Sequence, residues 1–272
     1  MSRKNKPAVQ RYHDRVARRY DASYDDAYWR FHDALTWDYL KPHLPADLSI
    51  PVMDLGCGTG KWALKLLTSG YSVACVDISG AMIGKAKLAV EEQRRSERAE
   101  FFQADLCDLG DIPNERYAFA VAMGDPIGCA SKPGRALKEI KKKLQPGSIL
   151  IATLDNKLGA LDYYLKEGSP KQMSDFLKTG KTHWLTKEKE EQFDIHTFTP
   201  REAKALFETA GYEVLEIRGK TVLNFNQRTY RGLLDDSKNK LEWMRIEKKL
   251  SRDADAVARA GHLQIVAKTP SS

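Results

Sequence analysis

Three features of the sequence predict a doubly wound α/β fold in three layers. Short apolar runs recur between residues 50 and 154, helical patterns separate them, and a glycine-rich turn follows the first run directly. Apolar runs alternating with helices imply parallel strands, because a parallel crossover consumes a dozen or more residues and usually folds them as a helix.

The elements follow in order. Val9, Tyr12, Val16 and Tyr20 recur at helical spacing, and residues 26–42 carry a second apolar stripe of Tyr28, Phe31, Leu35 and Tyr39 that stops near Pro42 and Pro45. Residues 1–45 read as an N-terminal helical cap. A core follows over 46–155, with strands expected at Ile50–Met53, Tyr71–Val76, Glu100–Ala104, Tyr117–Met123 and Ser148–Leu154. Helices are expected at Lys61–Leu67, from Ser79 into the nineties, and at Lys132–Leu144 before Pro146-Gly147. The polar segment 156–198 breaks the rhythm. It is helix-prone at Leu158–Leu165 and Met173–Leu177, and its length suits a lid or substrate wall. Residues 199–272 return to the core: Thr199-Pro200-Arg201-Glu202 is a capping box with proline at the first helical position, and Gly211 closes that helix. Strands Tyr212–Ile217 and His262–Lys268 bracket a helical insertion, rich in Arg and Lys, at about 227–250.

Composition narrows the function classes. No window approaches the roughly 18 apolar residues of a membrane span, and the N-terminal residues lack an apolar secretion core, so a cytoplasmic protein is expected. Cys57, Cys75, Cys107 and Cys129 form no CxxC pair and have no nearby histidine, which reads as buried thiols and no metal site. The net charge of +7 is confined: seven basic residues against Asp14 place +6 within residues 1–20. A phosphate-gripping face spreads its charge, so these residues read first as the wet side of a docked helix, with RNA or membrane contact as the alternative.

The stretch Val52-Met53-Asp54-Leu55-Gly56-Cys57-Gly58-Thr59-Gly60 places alternating glycines at a strand end, where the backbone can approach a ligand closely. A dinucleotide and S-adenosylmethionine both suit such a turn. Acids at successive run ends, Asp54, Asp77, Asp105 and Asp125, favour the second. Four carboxylates around one crevice repel a pyrophosphate and attract a sulfonium and an ammonium group. A nicotinamide oxidoreductase is thereby disfavoured.

"DLGCGTG", "VDIS..M", "ADLCDL" and "LQPGSILI" together resemble the class I S-adenosylmethionine-dependent methyltransferases. The resemblance implies a seven-stranded sheet, mainly parallel with one antiparallel strand. It further implies that Asp54, Gly56, Gly58 and Gly60 surround the methionine portion of the cofactor and that Asp77 holds the ribose. Ile78 and Met82 would flank the adenine, Asp105 and the Leu106 amide would read its edge, and the loop Met123-Gly124-Asp125 would lie beneath the sulfonium. "RRYDASYDD" resembles the N-terminal segment of small-molecule members, with Tyr20 and Tyr24 closing over the cofactor and Tyr28 behind them.

The acceptor is less legible. Asp125-Pro126 begins the Asp-Pro-Pro-aromatic box of nucleic-acid amine methylases, but Ile127-Gly128 abandons it, so no aromatic is set to stack on a flipped base. Asp125 is a candidate for orienting the acceptor or for fixing the turn. In the lid, Tyr163, Tyr164, His183, Trp184 and His196 are candidate contacts, and His183 is a candidate base. No acid cluster suited to magnesium stands out. The expected activity is methyl transfer to an O or N of a small molecule, by a monomer or homodimer. An RNA methyltransferase using the basic arm and a non-catalytic S-adenosylmethionine-binding regulator are the alternatives.

Overall fold

The computed structural model describes residues 6–183, 188–225 and 230–271. In chain order its elements are α1 (Ala8–Val16), α2 (Ala27–Leu40), β1 (Val52–Leu55), α3 (Lys61–Thr68), β2 (Val73–Asp77), α4 (Gly80–Glu92), β3 (Ala99–Gln103) and β4 (Tyr117–Ala122). There follow α5 (Pro133–Lys143), β5 (Leu144–Asp155), α6 (Leu161–Glu167), α7 (Pro170–Thr179), β6 (Lys181–His183) and β7 (Asp194–His196). The chain ends with α8 (Pro200–Thr209), β8 (Glu213–Lys220), α9 (Ser237–Leu250), α10 (Ala254–Val257) and β9 (His262–Lys268).

Among the described residues, seven strands form the main sheet in the order β3-β2-β1-β4-β5-β9-β8. Pairings from β3 through β5 are parallel, and β9 runs antiparallel to both neighbours. The strand order reverses between β1 and β4, and a crevice opens there beyond the strand ends. The central strands are apolar on both faces because helices cover both. Ala120 and Ala122 of β4 point to one layer with Leu137 and Ile140 of α5 and Phe207 of α8. Their alternating neighbours Phe119 and Val121 point to the other, with Leu66 of α3 and Ile83 of α4. In α2, Tyr28, Phe31, Leu35 and Tyr39 bury against Phe225, Leu234 and the partly buried Trp243 and Met244 of α9.

Several boundaries differ from the sequence reading. β1 begins two residues later than expected, because the register with β2 and β4 selects Val52–Leu55 from a longer apolar stretch. α1 stops at Val16, and Tyr20 precedes a 3-10 turn at Asp21–Tyr24. Segment 156–198 contains, besides two helices, the hairpin β6–β7, whose three-residue polar strands show no apolar alternation. The capping box at Thr199 and Glu202 forms with both of its hydrogen bonds. No described helix is long and apolar enough to cross a membrane.

Candidate functional site

A cavity of about 430 Å³ lies at the carboxyl edge of the sheet, beside the strand-order reversal. Its floor is the turn after β1. Gly56 and Cys57 donate to the Val76 carbonyl at 2.7 and 3.0 Å, which fastens the turn to β2. Gly58 has φ +54°, and a Cβ built there would meet nothing within 4 Å, so its side-chain position faces the open cavity. Gly56 is constrained instead, since a Cβ there would lie 2.4 Å from Pro126 Cβ. Gly60 stands at the start of α3 and packs on Ala86 of α4, away from the cavity wall.

The four aspartates divide. Asp77 lines the cavity and accepts from Gly58 N at 2.9 Å and Ser79 N at 2.8 Å. Asp105 also lines it and accepts from Cys107 N at 2.8 Å. Asp125 is buried in the left-handed region at φ +58°, a conformation aspartate tolerates better than most residues. Its carboxylate accepts from Gly128 N at 2.8 Å and Asp155 N at 3.2 Å, and Thr153 Oγ1 accepts from Gly124 N and Asp125 N. The Asp125 carboxylate is thus bound up in its own turn. Three of the four acids tie down backbone, so the sequence-based picture of four equivalent charges facing one crevice is too simple.

Asp54 is the exception. It is 1% exposed, lies outside the residues that line the cavity, and neither carboxylate oxygen accepts a hydrogen bond of normal geometry. Burial pushes its pKa up to about 7; the nearby Ala63 N–H favours the charged form, while Asp77 opposes it. A buried carboxyl without a partner is costly unless a ligand completes it.

The remaining cavity walls join distant elements. Ile78, Met82 and Leu106 supply apolar surface, and Met123 and Gly124 form the edge after β4. Tyr20 closes one side; its ring lies 4.8 Å from that of Tyr24, which stands behind it against Trp29 at 4.9 Å. Tyr28 is deeper still, 2% exposed. Thr59 donates to Asp21 at 2.6 Å and Lys61 to Asp33 at 2.9 Å, so the N-terminal segment clasps the glycine turn.

The hairpin contributes Lys181, Asp194 and His196, together with Phe193 immediately before β7. His196 N donates to the Gly128 carbonyl at 2.9 Å, docking the hairpin onto the loop after β4. His183 does not line the cavity; its side chain is 75% exposed and its Nδ1 lies 2.8 Å from Asp194 Oδ1. Tyr164 packs on Phe176 within the inserted segment, and Trp184 lies outside the described residues. The sequence reading did not single out His13, Lys181, Phe193 or Cys129 as cavity residues. For His13 a signal existed, since it continues the Val9–Val16 helix face; the others depend on tertiary placement.

Arg11 donates to the Glu190 carbonyl and Arg15 pairs with Glu191 at 2.6 Å, while Lys6 pairs with Asp14 at 2.8 Å. Much of the described basic arm therefore binds the protein itself.

Comparison with known proteins follows the same lines. A methyltransferase-domain family matches residues 52–147, the span of the glycine turn and the strands around it. The chain carries an S-adenosylmethionine-dependent methyltransferase domain of class I fold over residues 52–147. Among its relatives, the demethylmenaquinone methyltransferase of Leptospira interrogans is 28% identical over 146 residues, covering 51% of this chain and 56% of its own. The chain thus spans about half the length of that relative. The tRNA 5-carboxymethoxyuridine methyltransferase of Escherichia coli is 23% identical, covering 81% and 80%. A solved S-adenosylmethionine-dependent methyltransferase from Methanosarcina mazei superposes with a TM-score of 0.61 at 23% identity, covering 86% of this chain and 98% of that one; at this identity it shows the class I fold.

Proposed function

We propose that this protein transfers the methyl group of S-adenosylmethionine to a small-molecule nucleophile. The observation that carries the reading is the buried, unpartnered Asp54 carboxyl beside a glycine turn whose Gly58 leaves a Cβ-sized opening into the cavity. Those two features fit a ligand bearing an ammonium group close to backbone.

In this reading Asp54 faces the ammonium, and Gly56, Gly58 and Gly60 shape the turn around the methionine portion. Asp77 holds the ribose hydroxyls, its orientation already set by Gly58 N and Ser79 N. Ile78 and Met82 flank the adenine, while Asp105 and the Leu106 amide meet its edge. Met123 and Gly124 lie under the sulfonium, and Tyr20, backed by Tyr24, excludes water. The bound cofactor supplies a methyl group already activated for displacement. The protein's contribution is then alignment of the acceptor at about 3–3.5 Å in a dry site. A cavity of about 430 Å³ roofed by α1 and the hairpin suits small ligands. The Arg11 and Arg15 contacts leave less of the arm for nucleic acid.

Calorimetric titration with S-adenosylhomocysteine and with NADH tests the cofactor. Saturable binding of the first alone is expected, and binding of NADH alone refutes the assignment. Labelled methyl donor incubated with cell extract is expected to mark the low-molecular-weight fraction. The match to a tRNA methyltransferase over 81% of the chain favours a second reading, RNA methylation. Label in tRNA, with binding that weakens steeply in salt, would establish that reading instead.

A further inference from the structure

The hairpin β6–β7 sorts its side chains by face. Lys181 pairs across the ladder with His196, Thr182 with Ile195 and His183 with Asp194. Successive strand residues point to opposite faces, so Lys181, His183, Asp194 and His196 share one face while Thr182 and Ile195 share the other. The second face turns toward the inserted helices: Ile195 is buried, and Thr182 Oγ1 accepts from Tyr164 of α6 at 3.0 Å. The first face gives Lys181, Asp194 and His196 to the cavity. It is fixed from two sides. His196 N is tied to the Gly128 carbonyl at 2.9 Å, and Arg15 of α1 pairs with Glu191 just before β7.

Lys181 is the one lysine or arginine among the described residues that line the cavity. Its neighbour Asp194 leaves it available. Asp194 Oδ1 lies 2.8 Å from His183 Nδ1, whereas Asp194 Oδ2 stands 4.0 Å from Lys181 Nζ, at the limit of an ion pair. The Lys181 side chain is half exposed, and its ammonium donates no hydrogen bond among the described residues. His196 stands directly across the ladder, where facing Cβ atoms are about 4.5–5.5 Å apart. Its anchor, Gly128, belongs to the turn that follows Met123 and Gly124, so the pair borders the edge assigned to the sulfonium. We propose that Lys181 and His196 form the acceptor subsite, and that the methyl acceptor is a small oxyanion whose carboxylate or phosphate is bound by the Lys181 ammonium. The inference rests on the methyltransferase reading and adds the class of acceptor to it.

The charge balance of the cavity suits that acceptor. Asp77 and Asp105 line the cofactor half and are held by the amides of Gly58, Ser79 and Cys107, away from the hairpin. Burial, helped by the Lys181 charge, lowers the His196 pKa, so its ring is neutral at pH 7 and offers a hydrogen bond without a second charge. The cofactor adds a sulfonium beside Lys181. A cationic acceptor would meet both positive groups, whereas an oxyanion is attracted by both. Hydrogen bonds from an ammonium to a carboxylate or phosphate are charge-assisted and stronger than neutral ones, so Lys181 also orients what it binds.

The experiment divides the low-molecular-weight fraction of a cell extract by ion exchange into anionic, neutral and cationic pools. Each pool is incubated with enzyme and labelled S-adenosylmethionine, after calorimetry with S-adenosylhomocysteine. Failure of wild type to bind S-adenosylhomocysteine removes the methyltransferase reading itself. Given binding, label is expected from the anionic pool. Phosphatase treatment of that pool separates the two sources: label lost assigns a phosphate, and label retained assigns a carboxylate. For the acceptor purified from that pool, Lys181→Met is expected to lower kcat/KM about 10- to 100-fold, mainly through KM, the worth of a hydrogen bond to a charged group. Lys181→Arg, which keeps the cation, should retain most of the rate. The proposal is overturned by label from the neutral or cationic pool alone, by label in RNA alone, or by no label from any pool. A loss of less than about threefold in Lys181→Met overturns it as well. So does weakened S-adenosylhomocysteine binding in that variant, because Lys181 would then serve the carboxylate of the cofactor.

Discussion

Asp54→Asn is expected to stabilise the protein while weakening its hold on the cofactor. Asp54 is 1% exposed with two unpartnered oxygens, and burial raises its pKa from 3.8 to about 7. A gap of about three pH units, at about 1.4 kcal/mol each, gives roughly 4 kcal/mol of strain in the ionised folded state. The sign follows from the raised folded-state value. The contribution is most favourable below pH 3.8, where folded and unfolded states are both protonated, and declines as pH rises through about 7. An amide removes the charge but leaves a buried polar group, which returns about 1–2 kcal/mol of the gain. The net is about 2 kcal/mol of stabilisation at pH 8, or roughly 4–8 °C in Tm for a chain of this size. The gain should shrink below pH 7 and vanish or reverse near pH 4. Scanning calorimetry of both proteins at pH 8, 6 and 4 reads it. A lower Tm for the variant at pH 8, or a gain independent of pH, refutes the reasoning. In the same samples, S-adenosylhomocysteine affinity should fall by about 1.5–3 kcal/mol, the worth of a hydrogen bond to a charged group.

The remaining predictions concern the same site and its supports. Lys220→Met should stabilise with the opposite pH dependence, because burial depresses the lysine pKa to about 7; the gain in Tm should be larger at pH 6 than at pH 10. Asp77→Ala should weaken S-adenosylhomocysteine binding by about 1–3 kcal/mol through lost buried hydrogen bonds, and unchanged calorimetric affinity in a folded variant removes the ribose role. Gly58→Val should cost about 1–2 kcal/mol of stability from its positive φ and abolish measurable cofactor binding, since the new side chain points into open cavity. Arg15→Ala leaves Glu191, whose side chain is 6% exposed, without this partner. It should lower stability by about 1–2 kcal/mol and speed proteolysis within residues 6–20.

The doubly wound core was legible in the sequence because its signals are local. Strands buried on both faces must be apolar throughout, so Tyr117–Ala122 stands out from its neighbours in any context. Caps are equally local: Thr199 and Glu202 lie one helical turn apart and bond each other's backbone, whatever the rest of the chain does. The glycine turn belongs to the same class, since only glycine combines a positive φ with an open approach to backbone. What tertiary structure decided was the state and direction of each side chain. Asp54, Asp77, Asp105 and Asp125 look alike in sequence, yet three accept backbone N–H groups and one is buried with none. His183 and His13 are both plausible contacts by composition, but only His13 reaches the cavity wall. Asp155, Lys220 and His262, far apart in sequence, are joined in a row through strand register alone. Burial, and with it each ionisable group's preference for charge, is set by neighbours that chain order does not name.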